Sequence, residues 1–294
     1  MLKRSILIEN KSSITSKNLQ LVIKNEIREA IIPIEDIGFI VLDHPEIYIS
    51  ITAMNLLTEN NSSVIICNSN HLPNGMFLNL NSHHIQQEIF KHQIEASLPL
   101  KKQLWQQTII EKIKNQGILL EKITKEKNKF EFLASKVMSG DTTNMEAVAA
   151  NMYWKDFFEQ DFKRERFGDY PNNFLNYGYA ILRAATARAL SGSGLLNTLG
   201  IHHKSKYNAF ALADDIMEPF RPIVDEAVYN IIQNYEEQEL NTNIKAEILN
   251  ILTRTVYFKT EKSPLMVALQ KTASSLQQCY SGKRKKIKYP KLWS

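Results

Sequence analysis

Cysteine is scarce in this sequence, and three other features are missing. The two cysteines, Cys67 and Cys279, form no CxxC motif, which excludes a disulfide framework and a zinc–thiolate site and favours a reducing, cytoplasmic location. No apolar run approaches the roughly 20 residues that a membrane span needs, and residues 1–4 do not begin a secretory signal. We therefore expect no membrane partner. A GxxxxGK[ST] loop is also missing, which excludes a P-loop nucleotide site.

The composition that remains is globular, with an uneven distribution of charge. Hydrophobic residues make up 44% of the chain and charged residues 23%, which excludes a disordered protein. The first 85 residues contain six basic and eight acidic side chains, whereas the rest of the chain contains 30 basic and 23 acidic ones. A basic surface on this second part favours a phosphate-rich polymer as partner.

The first eighty residues have the pattern of a small, mainly β domain. Ser50 can cap one inserted helix over residues 51–57, and Asn74-Gly75 indicates a turn followed by a strand over 76–80. The other predicted strands are short, rich in β-branched residues and separated by polar turns. They span residues 5–8, 19–23, 29–33, 37–42, 47–49 and 64–67.

The pattern changes to helical periodicity near residue 82. We predict an N-terminal domain over 1–82, a linker and connecting helix over 83–100, and an all-α domain over 101–294, so that the fold class is α+β. The pair His83-His84 fits linker polarity better than a metal site, since neighbouring helical residues do not face each other. The last predicted helices span residues 224–235, 244–258 and 264–280.

An acidic cluster behind a histidine pair is the main candidate for chemistry. His203 is followed by Asp214, Asp215 and Glu218, and the spacing allows the three acids to share one face of a helix. Pro219 predicts that Glu218 lies where this helix kinks or ends. Imidazole with carboxylates suits Mg²⁺ or Mn²⁺, while a solvated helix face is the alternative for the acids.

Glu146 is a second candidate, in the first turn of a helix that Asp141, Thr142 or Thr143 can cap. It belongs to a stripe with Tyr153 and Phe157 that faces the core. The side chain can complete a capping box, or it can be an inward carboxylate that needs a partner such as a metal shared with His203 and Glu218. Periodicity alone favours the cap.

Two groups of basic residues are candidates for contacts with a nucleic-acid backbone. Lys163, Arg164 and Arg166 follow an aromatic stretch, although packing and an ordinary charged surface explain that pattern equally well. Near the C-terminus, a run of four basic residues can contact DNA or can be a frayed, solubilising tail. These residues are Lys283, Arg284, Lys285 and Lys286.

Three blocks follow one another in the second part of the chain. The first runs from Glu146 to Trp154, and the second from Pro171 to Leu182. The third joins Gly200-Ile201-His202-His203 to the element that contains Met217-Glu218-Pro219-Phe220. In this order and spacing, the blocks resemble the CRISPR-associated adaptation integrases, the "Cas one" family, and most of all its type II subgroup. The resemblance implies a small N-terminal β domain for dimer and partner contacts and a helical catalytic domain.

The resemblance also implies the identity of the metal ligands. They fall on Glu146, His203 and Glu218, and the spacing to Glu218 selects His203 over His202. Asp215 is expected to be a secondary ligand or a group that orients a ligand. This expectation reverses the preference for Glu146 as a helix cap.

The activity implied by the resemblance is metal-dependent phosphoryl transfer on DNA. The 3′-hydroxyl of a short foreign fragment attacks a phosphodiester at the edge of a CRISPR repeat and joins the two strands. This transesterification conserves bond energy, because one phosphodiester is exchanged for another, so no nucleotide cofactor is needed. The expected partners are double-stranded DNA, a second copy of the chain and a dimer of the small "Cas two" protein in a heterohexamer, with a type II effector nuclease and an accessory adaptation protein in some subtypes. The alternatives are a non-catalytic DNA-binding scaffold and a nuclease that only hydrolyses branched DNA.

Overall fold

Strands dominate the beginning of the chain and helices the remainder, which confirms the predicted α+β class. The computed structural model describes residues 3–79, 81, 83–158, 162–165 and 168–294. The change from strand to helix falls between Phe77 and Gln86. The predicted domain divisions at 82 and 100 stay a prediction, although the segment between them contains a packed helix.

The N-terminal strands form two four-stranded sheets within the described residues. In the first sheet the order is β1-β5-β7-β8, with β8 antiparallel to its neighbour and the other pairs parallel. In the second the order is β4-β3-β2-β6, with β2 and β6 parallel. The strands are β1 (Arg4–Ile8), β2 (Ser12–Lys17), β3 (Gln20–Lys24), β4 (Glu29–Pro33), β5 (Ile37–Leu42), β6 (Ile47–Ile49), β7 (Ser63–Cys67) and β8 (Pro73–Phe77).

Helix α1 (Ile51–Glu59) lies between β6 and β7 and is capped as predicted, because the Ser50 hydroxyl accepts a hydrogen bond from the Ala53 amide. The prediction of a turn at Asn74-Gly75 is wrong. Gly75 is inside β8, where it pairs with Ile66, so the strand begins three residues earlier than predicted. The hairpin instead turns over residues 68–72, where the Asn68 side chain accepts two backbone hydrogen bonds.

The second part of the chain is a set of packed helices around the long helix α3. Pro99 stands in the first turn of α3, where its missing amide hydrogen is not needed. The helices are α2 (Gln86–Ile94), α3 (Leu98–Thr124), α4 (Phe130–Ser135), α5 (Met145–Phe157), α6 (Asn172–Gly192), α7 (Ala211–Met217), α8 (Arg221–Asn234), α9 (Thr242–Leu249) and α10 (Leu265–Tyr280).

The predicted helix over 244–258 is wrong in its second half. Helix α9 ends at Leu249, and after a 3₁₀ turn the chain forms β9 (Thr255–Tyr257), which pairs antiparallel with β10 (Lys262–Pro264). The sequence of β9 is Thr-Val-Tyr, which favours an extended backbone. The C-terminal part is therefore helical with one small β hairpin.

The two parts share a hydrophobic core. Phe39, Val41 and Ile65, on one face of the first sheet, belong to the same buried cluster as the helices. A separate N-terminal cluster fills the space between the two sheets and α1. A buried ion pair also joins the two parts, because the Lys245 ammonium of α9 lies 2.6 Å from the Asp43 carboxylate after β5.

The segment after α10 folds back onto the helices, so the interpretation as a frayed tail is wrong. The Tyr289 hydroxyl shares a 2.9 Å hydrogen bond with Thr108 of α3, and the Trp293 indole donates to the Glu226 carboxylate. Lys291 pairs with β9. The four basic residues 283–286 stay exposed on this anchored segment.

Across the ranges that the structure covers, none of the helices combines the length and the apolar character needed to cross a membrane.

Candidate active site

Glu146 lies in the first turn of α5 and does not cap it. The cap is provided by Asp141, whose two carboxylate oxygens accept hydrogen bonds from the amides of Met145 and Glu146 at 2.9 and 3.0 Å. The Glu146 side chain instead accepts a 2.6 Å hydrogen bond from the Lys112 ammonium of α3. The capping-box interpretation is therefore wrong, and Glu146 is an inward carboxylate with a cationic partner.

Glu218 lies at the helix break that Pro219 predicts. Helix α7 ends at Met217, and Glu218 opens a 3₁₀ turn that leads into α8. Its buried carboxylate accepts a 2.8 Å hydrogen bond from Arg221 and forms a 2.6 Å ion pair with Lys112. Burial alone would raise the pKa of Glu218, but the charges of Arg221 and Lys112 outweigh it and lower the pKa to about 2.

Lys112 joins the two carboxylates. Its buried ammonium lies 2.6 Å from an oxygen of Glu146 and 2.6 Å from an oxygen of Glu218. Burial would lower the pKa of Lys112, but the two carboxylates outweigh it and raise the pKa, so the side chain is charged at neutral pH. Three residues further along α3, the Asn115 amide donates to the Pro219 carbonyl at 2.8 Å and fixes the turn that carries Glu218.

Lys112 is a residue of the site that was not predicted from the sequence, although the helical pattern of α3 indicates that it is buried. Lys112 follows Thr108 and Ile109 by four and three residues, so it belongs to the buried stripe of α3. A lysine in an apolar stripe needs a buried anion as partner.

His203 is held by Asp215, which is fully buried. One Asp215 oxygen accepts hydrogen bonds from the ring nitrogen Nδ1 of His203 at 2.6 Å and from the His203 amide at 3.2 Å. The other oxygen accepts hydrogen bonds from the amides of Ile201 and His202 at 2.5 and 2.9 Å. The hydrogen bond to Asp215 raises the pKa of His203, against the opposing effect of burial. Asp215 thus fixes the tautomer with hydrogen on Nδ1 and leaves Nε2 to act as a ligand.

This arrangement requires glycine at position 200. A Cβ atom there would lie 2.5 Å from the His203 carbonyl oxygen and 2.8 Å from the Asp215 carboxylate. Both contacts are closer than packed atoms allow, so a larger residue would move His203 away from Asp215. The two Asp215 oxygens serve four donors, one of which is the His203 ring, so Asp215 orients His203; its role as a secondary ligand stays a prediction.

Asp214, Asp215 and Glu218 have different hydrogen-bond partners. Asp214 binds Arg183 at 2.7 Å and Asn208 at 2.8 Å, whereas Asp215 binds His203 and Glu218 binds Arg221. The negative charges of all three acids act on His203. All three are buried, so the alternative of a solvated face is wrong.

The neighbouring histidines have different ring partners. His202 stacks on Trp105 with ring centroids 4.2 Å apart, and His203 meets the edges of the Trp105 and His202 rings at 6.1 and 5.8 Å. The ring of His203, and not that of His202, is held by the Asp215 carboxylate. The negative charge of Glu218 also acts on His203 and contributes to its raised pKa.

Glu146 and Glu218 meet at Lys112, and the charge of Glu218 acts on His203, but the present side-chain positions do not form a metal centre. Within the described ranges, no three His, Cys, Asp or Glu side chains are arranged to hold a metal ion. The donor set nevertheless fits Mg²⁺ or Mn²⁺, since two carboxylates and an imidazole match the preferences of these ions. The position between the two carboxylates already accepts a cation, the ammonium of Lys112.

A pocket of about 190 Å³ opens beside Glu218 and Lys112. Lys112, Arg164 and Arg221 line it together with Glu218 and the Trp154 ring. The positive charge and the aromatic surface suit a nucleotide phosphate with its base or sugar.

One wall of this pocket is built on a buried acid. The hydroxyls of Tyr153 and Tyr179 both donate to Asp225, and burial raises the pKa of Asp225 to about 6 against the effect of these hydrogen bonds. The guanidinium carbons of Arg164 and Arg221 lie 5.1 and 4.5 Å from the centre of the Tyr179 ring. The acid thus orients a tyrosine that supports both arginines.

The basic residues predicted to contact DNA fall into different places. Arg164 is half-buried and is fixed by the side-chain oxygens of Asn172 and Asn176 at 2.9 and 2.6 Å, so it faces the pocket from a set position. Lys163 is exposed, and Arg166 lies outside the described residues. The exposed run of Lys283, Arg284, Lys285 and Lys286 is tied to α3, since the Gln107 side chain donates to the Lys285 carbonyl.

Comparisons with known proteins agree with this architecture. A family model for CRISPR associated protein Cas1 matches residues 6–260. The CRISPR-associated endonuclease Cas1 of Neisseria meningitidis serogroup C (strain 8013) is 35% identical over 293 residues, which cover 98% of this chain and 96% of that relative.

Two solved structures show the same fold at lower identity. A casposase bound to integration product has a TM-score of 0.78 at 22% identity, covering 97% of this chain and 92% of that one. A Cas6-RT-Cas1–Cas2 complex has a TM-score of 0.74 at 20% identity, covering 99% of this chain and 36% of that one. The match to the family model and the similarity along the whole length lead to one conclusion: the chain belongs to the Cas1 family of CRISPR-associated proteins.

Proposed function

We propose that this protein is a metal-dependent DNA integrase of CRISPR adaptation, which joins the 3′-hydroxyl ends of short foreign-DNA fragments to the CRISPR repeat by transesterification. The observation that carries this proposal is the convergence of Glu146 and Glu218 on one buried cation, next to a histidine that Asp215 orients. Membership of the Cas1 family, which includes the endonuclease of N. meningitidis, supports a nuclease or integrase activity.

Glu146, His203 and Glu218 would hold Mg²⁺ or Mn²⁺, which when bound polarises the scissile phosphate and neutralises charge that develops in the transition state. Asp215 contributes by holding the hydrogen of the neutral His203 ring on Nδ1, so that Nε2 carries the lone pair that a metal ion needs. The lowered pKa of Glu218 keeps its carboxylate ionised at any pH at which the protein works.

The pocket beside Glu218 and Lys112 would bind the DNA backbone. Arg164 and Arg221 provide guanidinium groups whose positions are set by hydrogen bonds and by the Tyr179 ring, and such groups bind phosphate oxygens in pairs. Their charge would position the attacked phosphodiester while the exposed basic residues guide the rest of the duplex. Lys163 and the run 283–286 are our proposals for that second role.

The assembly proposed for this chain follows its relatives and neighbours. One fold neighbour is described as a Cas6-RT-Cas1–Cas2 complex and another as a casposase bound to integration product, which supports a Cas2 partner and DNA as substrate. We further propose that the protein acts as a homodimer, two of which flank a Cas2 dimer. A type II effector nuclease and an accessory adaptation protein are additional proposed partners.

A strand-transfer assay tests this function directly. Purified protein, its Cas2 partner, a fluorescent duplex with free 3′-hydroxyl ends and a supercoiled plasmid carrying a repeat are combined with and without Mn²⁺. We expect joining that depends on Mn²⁺ and is abolished by His203→Ala. His202→Ala is the matched control, since this ring stacks on Trp105 while Asp215 holds the ring of His203; joining should survive it.

The same assay separates the two alternatives. DNA binding without joining, unaffected by Mn²⁺ or by His203→Ala, would mean a non-catalytic scaffold. Cleavage of branched DNA without joined product would mean a nuclease in which water, and not a 3′-hydroxyl, is the nucleophile. Either result would overturn the proposal of an integrase.

A further inference from the structure

We propose that the ammonium of Lys112 competes with the divalent cation for Glu146 and Glu218, and that a DNA phosphate in the adjacent pocket strengthens metal binding by drawing Lys112 away. This inference rests on the proposed function, because it concerns the same site. It assigns to Lys112 the role of coupling metal binding to the presence of DNA.

The first step is that the carboxylates are already neutralised. Lys112 contacts both of them at 2.6 Å, and Arg221 donates to Glu218 at 2.8 Å. Two unit cations therefore balance two carboxylates in a site where Lys112 and Glu218 are buried and Glu146 and Arg221 are partly exposed. A divalent ion added to this cluster would leave an excess of two positive charges, which is costly away from water.

The second step is that the two cations exclude each other in space. A Mg²⁺ ion binds carboxylate oxygens at about 2.0–2.1 Å. The Lys112 ammonium lies 2.6 Å from the same oxygens, so an ion bridging Glu146 and Glu218 would overlap with it. Metal binding therefore requires that Lys112 moves.

The third step identifies where Lys112 goes. Its flexible stem lines the pocket of about 190 Å³, whose walls also contain Arg164 and Arg221. Moving a third cation toward two guanidinium groups is unfavourable unless an anion lies between them. A DNA phosphate in that pocket is such an anion, and it turns an unfavourable movement into a favourable one.

Thermodynamic linkage then makes the effect reciprocal. If DNA releases the carboxylates from Lys112, it strengthens metal binding, and metal must strengthen DNA binding by the same factor. A protein of this kind binds metal weakly without DNA and assembles its metal centre when the substrate is present. Couplings of this sort typically change affinity by about 5–150-fold.

The test measures Mn²⁺ affinity by electron paramagnetic resonance on the full chain, with and without a short duplex with free 3′-hydroxyl ends. The Mn²⁺ that the duplex binds by itself is measured in a separate titration and subtracted. For the wild type we expect at least about fivefold tighter Mn²⁺ binding with the duplex than without it. Lys112→Met should bind Mn²⁺ more tightly than the wild type without DNA, and the duplex should add little.

Lys114→Met is the matched control, since Lys114 lies on the same helix but pairs at 3.2 Å with the exposed carboxylate of Glu131. It should behave like the wild type. If Lys112→Met does not fold, Lys112→Gln replaces it, because the amide keeps polarity without charge. For either variant, Mn²⁺ should raise the melting temperature more than it does for the wild type.

The outcomes separate this inference from the proposed function. If the wild type joins DNA and binds Mn²⁺, but loss of the Lys112 charge leaves Mn²⁺ affinity unchanged or weakens it, the inference is wrong and the integrase stands. If the wild type neither binds Mn²⁺ nor joins DNA with its Cas2 partner present, both proposals are wrong.

Discussion

The substitution Asp215→Asn tests whether one buried carboxylate organises the histidine of the site. The Asp215 oxygens accept four hydrogen bonds, at 2.5, 2.6, 2.9 and 3.2 Å. Asparagine keeps one oxygen, which can serve two of the four donors, while its NH₂ group faces the other two. The loss of two hydrogen bonds to a charged acceptor, at about 1.5–3 kcal/mol each, predicts a destabilisation of about 3–6 kcal/mol before the loop relaxes.

The effect on metal binding is separate from the effect on stability. Without the carboxylate, the imidazole of His203 is less basic and is free to rotate, so we expect Mn²⁺ affinity to fall by about 10–100-fold. Urea unfolding measures the first effect and titration with Mn²⁺ the second. Asp214→Asn is the matched control, because this neighbouring acid binds Arg183 and Asn208 and acts on His203 only through its charge. Its loss of Mn²⁺ affinity should be much smaller than that of Asp215→Asn.

Two results would refute this reasoning. A loss of stability below about 1 kcal/mol would mean that the four hydrogen bonds do not form in solution. Unchanged Mn²⁺ affinity in a folded Asp215→Asn variant would mean that His203 is not oriented by Asp215, or that it is not a ligand.

Three further predictions concern pH, an ion pair and a close contact between helices. Because the pKa of His203 is raised, Mn²⁺ affinity should fall as pH drops below that pKa, and Asp215→Asn should move this fall to lower pH. The hydrogen bond between His203 and Asp215 also stabilises the metal-free fold below about pH 6.5, and this contribution is lost as pH rises through the raised pKa. Lys245→Met leaves the buried Asp43 carboxylate without its cation and should lower the free energy of unfolding by about 3–5 kcal/mol in urea, whereas Lys11→Met, in an exposed pair, should have no measurable effect. Gly178→Ala places a Cβ 2.4 Å from a valine of α8 and should cost about 1–3 kcal/mol, measured the same way.

Local signals made parts of the fold predictable. The Ser50 cap and the helix break at Pro219 depend on neighbouring residues alone, and both are present in the structure. The strand at Pro73 was not predictable in this way. An Asn-Gly pair favours a turn locally, but pairing of Gly75 with Ile66 extends the sheet and outweighs that preference.

The connections within the site were not predictable from the sequence. Glu146, His203 and Glu218 come from the resemblance, and as a ligand set they stay a prediction; the structure joins Glu146 and Glu218 through Lys112. That Asp215 binds His203, and that Lys112 binds both glutamates, depends on contacts between distant segments. Glu146 and Lys112 are 34 residues apart along the chain, and no local pattern sets the distance between their helices.

The energetics of this cluster favour a catalytic site over a scaffold. Removing the Lys112 ammonium and the Glu218 carboxylate from water costs several kcal/mol per ion, and apolar residues of the same volume stabilise a core at least as well. A protein that only binds DNA needs its basic surface and has no use for Glu218 beneath it. The buried Glu218 carboxylate of this chain lies instead against a pocket lined by Arg164 and Arg221, where a phosphate can reach it. That combination of a buried anion and an accessible cationic pocket is what phosphoryl transfer requires, because charge develops on the phosphate and must be neutralised there.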